Sequence, residues 1–445
     1  MNIKDCIEDY IEFYKDEIVK NICEFVRIPS LACEDESEYP YGRECAKALD
    51  FCMNLSREKG LYVKNHEYYC SEAQIERIQN GKRLVIAAHA DVVPGEENCI
   101  YSPFGGDIIG DYIVGRGVVD NKAPLIATIY ALAFFKKHNI KLNNDIRLLF
   151  GSNEELGMDD IDYYLEKVGQ PDFALAVDDD FPVVNGEKGL VKFSLSALKA
   201  KELSDISSSG KAQRIVHDEC VVKLENDSFI EIRKSPEDNV VSKLIQQLWE
   251  NDVYILNNYD KNKALIEILK DPTGKLLHIQ WEDERSGKTS IKIYKVSMEE
   301  DKVVFDFDVR VPITYDEDTI IDRIIEFAEK LDFEYEIKKV SPSFYLPEEH
   351  EIVKLLTDLY NEASKSNDKP YVMGACTYAR KFKEACGFGA GNQYETKPFP
   401  KGHGSAHGAD EAQNINVLLN AIRMYILGIK AIDDKWSLER ELQIS

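Results

Sequence analysis

No two cysteines in this chain stand at C-x-x-C spacing, and the ten present run from Cys6 to Cys386 without a short framework. That argues against zinc-ribbon and thioredoxin-type sites and points to buried thiols in a reducing compartment, the cytoplasm. No uninterrupted apolar run approaches the ~18 residues of a membrane-spanning helix, so no membrane partner is expected. The opening Met1-Asn2-Ile3-Lys4-Asp5 is charged and amphipathic, not the apolar centre of a signal peptide. Basic residues are scarce: 55 Lys and Arg face 80 Asp and Glu, for a net charge of −25. Such a field repels phosphate backbones, and nucleic acid is not an expected partner. Repeats and low-complexity tracts are also missing. What remains is an ordinary globular composition, 44% hydrophobic and 30% charged, over 445 residues, enough for two or more domains.

Apolar spacing predicts helices over 3–26, 43–60 and 123–137. Short, continuously apolar runs at 83–88, 145–150 and 173–177 read as strands buried on both faces. Strand and helix alternate, which predicts an α/β domain with a mostly parallel sheet. After Gly186-Glu187-Lys188-Gly189 the runs become shorter, more alternating and more charged, with helical stretches at 240–249 and 316–331. Residues 189–345 therefore read as an α+β insert. It divides a first domain formed by residues 1–188 and 346–445, with helices again at 350–364 and 411–432.

Five potential metal ligands sit at the ends of apolar runs: His89, Asp120, Glu155, Asp178 and His407. Two imidazoles and three carboxylates suit a pair of divalent cations, one carboxylate lying between them. Positions just past the carboxyl ends of strands are where open α/β sheets carry chemistry. Asp91, two residues beyond His89 in extended chain, falls on the same side and can orient the imidazole. Asp120 precedes the 123–137 helix, where Asn121 is a candidate cap. Glu154 and Glu155 are adjacent, so one can bind metal while the other holds a water; an acidic helix start is the plainer alternative. Asp178 opens the run Asp178-Asp179-Asp180, which could equally be a solvated turn. His407 lies in a Gly-rich loop in which His403 competes with it.

The order of these segments resembles the co-catalytic di-zinc aminoacylase/carboxypeptidase superfamily, most closely its PepV-type, carnosinase-like Xaa-His dipeptidases. The resemblance is carried by His89-Ala90-Asp91-Val92-Val93-Pro94, Tyr101-Ser102-Pro103-Phe104, Gly115-Arg116-Gly117 with Asp120-Asn121-Lys122, and Glu154-Glu155-Leu156-Gly157. Asp178 to Pro182 with Asn185 to Gly189, Thr377-Tyr378-Ala379-Arg380 and Ala406 to Glu411 extend it over nearly the whole chain. It implies a catalytic domain with the insert as a lid. His89 and Asp178 would serve one Zn²⁺, Glu155 and His407 the other, and Asp120 both, with Mn²⁺ or Co²⁺ as alternatives. It also implies a cis Asp120–Asn121 bond, Glu154 as general base, Asp91 as orienter of His89, and Arg380 and Arg310 as candidate binders of a substrate carboxylate. A structural ion pair is the alternative for either arginine. The expected activity is hydrolysis of dipeptides by a monomer.

The match weakens in the insert. The lid of this superfamily normally supplies a histidine, and the corresponding stretch, Ile232 to Asn239, has none. Arg233 or His217 are the candidate stand-ins. Two further readings stay open: an N-acyl amino acid deacylase or desuccinylase, and a metal-binding paralogue with little catalysis.

Overall fold

The computed structural model describes residues 3–33, 39–76, 78, 81–96, 98–209, 219–226, 228–233 and 239–444. Expectations placed on His217 and on the 234–238 stretch fall outside these residues, as does the side chain of Arg233. The chain divides into two compact units: residues 1–185, 346–371 and 376–445 in the first, and 186–345 with 372–375 in the second.

The first unit is α/β. Strand Arg83–His89 lies at the centre of its sheet, hydrogen-bonded in parallel to Asp145–Gly151 on one side and Phe173–Ala176 on the other. Ala385–Gly387 adds a further parallel strand beside Phe173–Ala176. The hairpin Tyr62–His66/Cys70–Gln74 extends the other edge in antiparallel sense. Central strands are covered on both faces, which is why they carry continuous apolar runs and not alternation. Helix Ala123–Lys137 is buried from Ala123 through Phe135. It packs with Ile3–Val26 and the long C-terminal helix Ile415–Ile444 around one core. By length and composition, Val118–Lys137 and Ile415–Leu442 could each cross a bilayer, but in this fold 89% and 56% of their most apolar windows are buried. Polar residues interrupt both helices, so neither is an uninterrupted apolar run.

The second unit is α+β. Its antiparallel sheet runs in the order Ser290–Glu299, Lys302–Val311, Gly189–Leu198, Glu334–Ser341. A three-stranded sheet, Leu203–Ser209, Glu219–Leu224 and Phe229–Arg233, belongs to the same unit. Helices Val240–Glu250, Tyr259–Lys270 and Glu317–Lys330 each begin at a side-chain cap, from Asn239, Asn258 and Asp316. The middle helix was not anticipated from the sequence. The second unit has its own core, with Phe193 stacked on Phe307 at 4.7 Å between ring centroids.

Candidate metal centre

Parallel pairing brings the candidate side chains together. His89 is opposite Gly151 in register, and Ala87 is opposite Ala176. The three strands therefore end at one edge of the sheet, and the residues that follow them, Asp91, Glu154 with Glu155, and Asp178, emerge side by side. Asp120 arrives from the turn that enters helix Ala123–Lys137, across a cis Asp120–Asn121 peptide. His407 arrives from the Gly-rich loop before the C-terminal helix.

The geometry centres on Asp120. Its Oδ1 lies 2.9 Å from His89 Nε2, and its Oδ2 lies 2.9 Å from His407 Nε2. His89 Nε2 is also 3.4 Å from Asp178 Oδ2, and His407 Nε2 is 2.9 Å from Glu155 Oε1. Two donor groups result, His89 with Glu154 and Asp178, and Asp120 with Glu155 and His407, the atoms of each lying within 4.8 Å of one another. The His89 side chain is wholly buried, and that of Glu155 is 5% exposed.

The electrostatics follow from crowding carboxylates out of water. Burial pushes the Glu154 carboxyl well above the usual range, only partly opposed by His89. Burial, reinforced by the Asp120 charge, raises Glu155 to about 7. The histidines respond in the opposite sense. Burial would lower His407, but hydrogen bonds to Asp120 and Glu155 raise it to about 11. His89 is likewise raised, burial being outweighed by Asp178 and Asp120. Asp120, despite burial, is held well below the carboxylate range by both imidazoles. The upward shift of both imidazoles reports the negative field of the carboxylates around them. Glu154 Oε1 is buried with no hydrogen-bond partner among the described residues. Nitrogen and carboxylate donors in this proportion, with an orphaned oxygen among them, fit divalent cations.

Several roles differ from expectation. The nearest acceptor for His89 Nδ1 is the Asp91 main-chain carbonyl at 3.0 Å; the Asp91 carboxylate is farther, at 3.4 Å. That carboxylate also accepts from the backbone N–H groups of Glu154 and Glu155, at 3.2 and 3.0 Å. Asp91 thus ties one strand end to the next, because the sharp exit from the strand offers it two amides. Asn121 does not cap the helix; residue Lys122 occupies that position without a side-chain cap. The Asn121 amide instead donates to Asp178 Oδ1 and the Val177 carbonyl. His403 is held by Asp410, Nδ1 to Oδ2 at 2.5 Å, which leaves His407 as the loop's contribution to the cluster. Arg310 belongs to the second unit, where its guanidinium forks onto Asp308 at 2.8 and 3.2 Å and donates to the Gly374 carbonyl. That is the ion-pair alternative considered for it. Arg380 lies in the half-buried turn Tyr378–Lys381, two residues after Tyr378, whose ring makes a T-shaped contact with the His89 ring at 6.2 Å between centroids.

Sequence reasoning passed over the supports. Asp160 Oδ2 accepts from the Ser152 and Asn153 amides and from the Tyr378 hydroxyl, fixing the segment that carries Glu154. Lys122 donates to the Phe25 and Ile28 carbonyls at the end of the N-terminal helix. Glu411 gathers the stretch before Asp120. The motifs contained Glu411, Lys122 and Tyr378, but their partners lie far away in sequence.

An α/β sheet with nitrogen and carboxylate donors gathered past the carboxyl ends of its parallel strands has the form of a metal-dependent enzyme site. The chain belongs to Peptidase family M20/M25/M40, whose family model matches residues 85–430. "Putative dipeptidase YtjP" of Bacillus subtilis (strain 168) is 25% identical over 460 residues, covering 93% of this chain and 97% of that protein. Among solved structures, the dipeptidase Dug1p from Saccharomyces cerevisiae superposes with a TM-score of 0.65 at 15% identity, covering 97% of this chain and 98% of that one. Human carnosine dipeptidase 1 gives 0.62 at 14% identity, covering 97% and 100%. At these identities the two structures speak for the fold.

Proposed function

We propose that this chain is a dipeptidase that works with two divalent cations, Zn²⁺ by preference and Mn²⁺ or Co²⁺ as alternatives. The observation that carries the reading is the placement of the two Asp120 oxygens, each 2.9 Å from a different histidine. In this reading His89 and Asp178 hold one cation, Glu155 and His407 the other, and Asp120 serves both. Cations bound there would polarise the scissile carbonyl and acidify water.

The remaining work falls to the chain. Glu154, buried and without a hydrogen-bond partner for Oε1 among the described residues, is poised to accept a proton from the attacking water and deliver it to the leaving nitrogen. The C–N bond breaks, the hydroxyl stays on the acyl carbon, and the transferred proton makes the departing group an amine. Asp91 positions Glu154 and Glu155 through their amides. Arg380 and Arg310 are the candidates for binding a substrate carboxylate as a bidentate fork. The ten free thiols agree with a reducing, cytoplasmic setting.

The test is release of free amino acids from a dipeptide panel, run beside N-acetyl and N-succinyl amino acids, with Zn²⁺, Mn²⁺ or Co²⁺ added. Turnover of dipeptides supports the reading. Turnover confined to the acyl substrates would reassign the chain as a deacylase, and cation binding without turnover would make it a binder.

A further inference from the structure

Glu411 stands four residues after His407, and its side chain is 1% exposed. Its Oε2 accepts from Arg116 Nη1 at 2.6 Å and from the Gly117 amide at 2.9 Å. Its Oε1 accepts from the Val119 amide at 2.8 Å and from the amide of Asp120 itself at 3.0 Å. All four acceptor positions of one carboxylate are thus spent on the segment that ends at Asp120. Arg116, 2% exposed at its side chain, completes the arrangement. Its Nε donates to the Pro94 carbonyl at 3.1 Å, five residues past His89, and its Nη2 to the Gly408 carbonyl at 3.0 Å, beside His407.

One buried ion pair therefore joins the loops that carry His89, Asp120 and His407. We propose that Arg116 and Glu411 are positioning residues that preset Asp120 between the two histidines, so that the cation pair meets ligands already in place. This rests on the two-cation reading above. The physical reason is that a carboxylate can serve two cations only if its plane and direction are fixed. Asp120 sits in the kinked helical turn Val118–Lys122 with a non-helical backbone (φ −125°, ψ 85°), and Glu411 supplies the acceptor for its amide. Residues that orient ligands without touching the metal commonly govern affinity by about 10–100-fold. The neighbouring acid offers a comparison. Asp410 is also buried, but its carboxylate holds the Ile100 and Tyr101 amides and His403, not the Asp120 segment.

The test is calorimetric titration of the cation-stripped full chain with Zn²⁺, for the wild type, Glu411→Gln, Arg116→Lys and Asp410→Asn. Co²⁺ absorption spectra report the ligand geometry. Glu411→Gln keeps the shape but loses the charge; Arg116→Lys keeps the charge but loses the fork. Both are expected to weaken at least one cation by about 10–100-fold and to change the Co²⁺ spectrum, with the circular dichroism unchanged and Asp410→Asn affected less. A wild type that binds two cations, with both variants matching its affinities and spectrum, overturns the clamp alone. A wild type that binds neither Zn²⁺ nor Co²⁺ overturns the cation reading and the clamp with it. If neither variant folds, the pair serves stability and the proposal is overturned.

Discussion

The Asn121 side-chain amide donates to Asp178 Oδ1 at 2.8 Å and to the Val177 carbonyl at 2.7 Å. Asn121 is wholly buried, so this amide fixes one carboxylate oxygen of Asp178 and leaves Oδ2 facing His89. The residue that follows Asp120 thereby orients a candidate ligand delivered by a different strand. Replacing Asn121 with Ala should lower affinity for the cation paired with His89 and Asp178 by about 10–100-fold. Competition against a chelating dye measures this, and an unchanged affinity would remove Asn121 from the site.

Glu154→Gln separates binding from chemistry. Glutamine keeps the volume but cannot take a proton. Turnover of the best dipeptide should fall by about 10²–10⁴-fold. Both cations should still bind, since Asp120, Glu155, Asp178 and the two histidines remain. Steady-state kinetics and metal stoichiometry on the same sample check both halves. Retained turnover would exclude Glu154 as the base.

Cation binding should also be visible as stability. A ligand that binds only the folded chain stabilises it by RT ln(1 + [L]/Kd), about 2.7 kcal/mol at a free concentration of 100 Kd. Zn²⁺ should raise the thermal midpoint and EDTA should reverse the rise. The His89→Ala/His407→Ala double variant should show neither effect. An equal Zn²⁺ response in that variant would place the binding elsewhere.

Away from the site, Glu72 and Arg147 should make stability pH-dependent. Glu72 accepts from Arg147 Nη1 at 3.0 Å and from the Tyr164 hydroxyl at 3.2 Å, with the His66 imidazole 3.7 Å away. Burial would raise its pKa, but His66 and Arg147 outweigh that and hold it at about 2, against an ordinary 4.5. The folded chain therefore binds this proton more weakly than the unfolded chain. The associated stabilisation is complete above about pH 4.5 and disappears as pH falls through about 2. Its size is about 3 kcal/mol, at roughly 1.4 kcal/mol per pKa unit. Glu72→Gln should cost about that much in urea denaturation at pH 7, with the gap to wild type closing between pH 4.5 and 2. A gap independent of pH would mean that packing, not charge, is what Glu72 contributes.

Local pattern made much of this molecule legible. The run Arg83-Leu84-Val85-Ile86-Ala87-Ala88 could only be a strand covered on both sides, and it is the central one. The apolar stretch 123–137 became a helix buried all round. His89 was readable because it sits where such a run stops, whereas Asp178 and His407 were singled out by the family resemblance. Spacing placed Asp91 on the face of His89, where its carboxylate lies 3.4 Å from Nδ1, but could not say that it also meets the Glu154 and Glu155 amides. Helix Tyr259–Lys270 was missed because its apolar residues are diluted by Lys261, Lys263 and Asp260.

What the sequence determined by itself was the alternation of strand and helix, the change of texture after residue 186, and the set of nitrogen and oxygen donors on offer. These depend on neighbours a few positions apart, whose periodicity and chemistry are written locally. Only the tertiary structure decided that His407, and not His403, faces Glu155, that Asp120 turns one oxygen to each histidine, and that Glu411 reaches back to the amide of Asp120. Those choices rest on contacts between segments up to some three hundred residues apart. Such contacts exist only once parallel strands have brought their ends to one edge and burial has left each charge dependent on a partner.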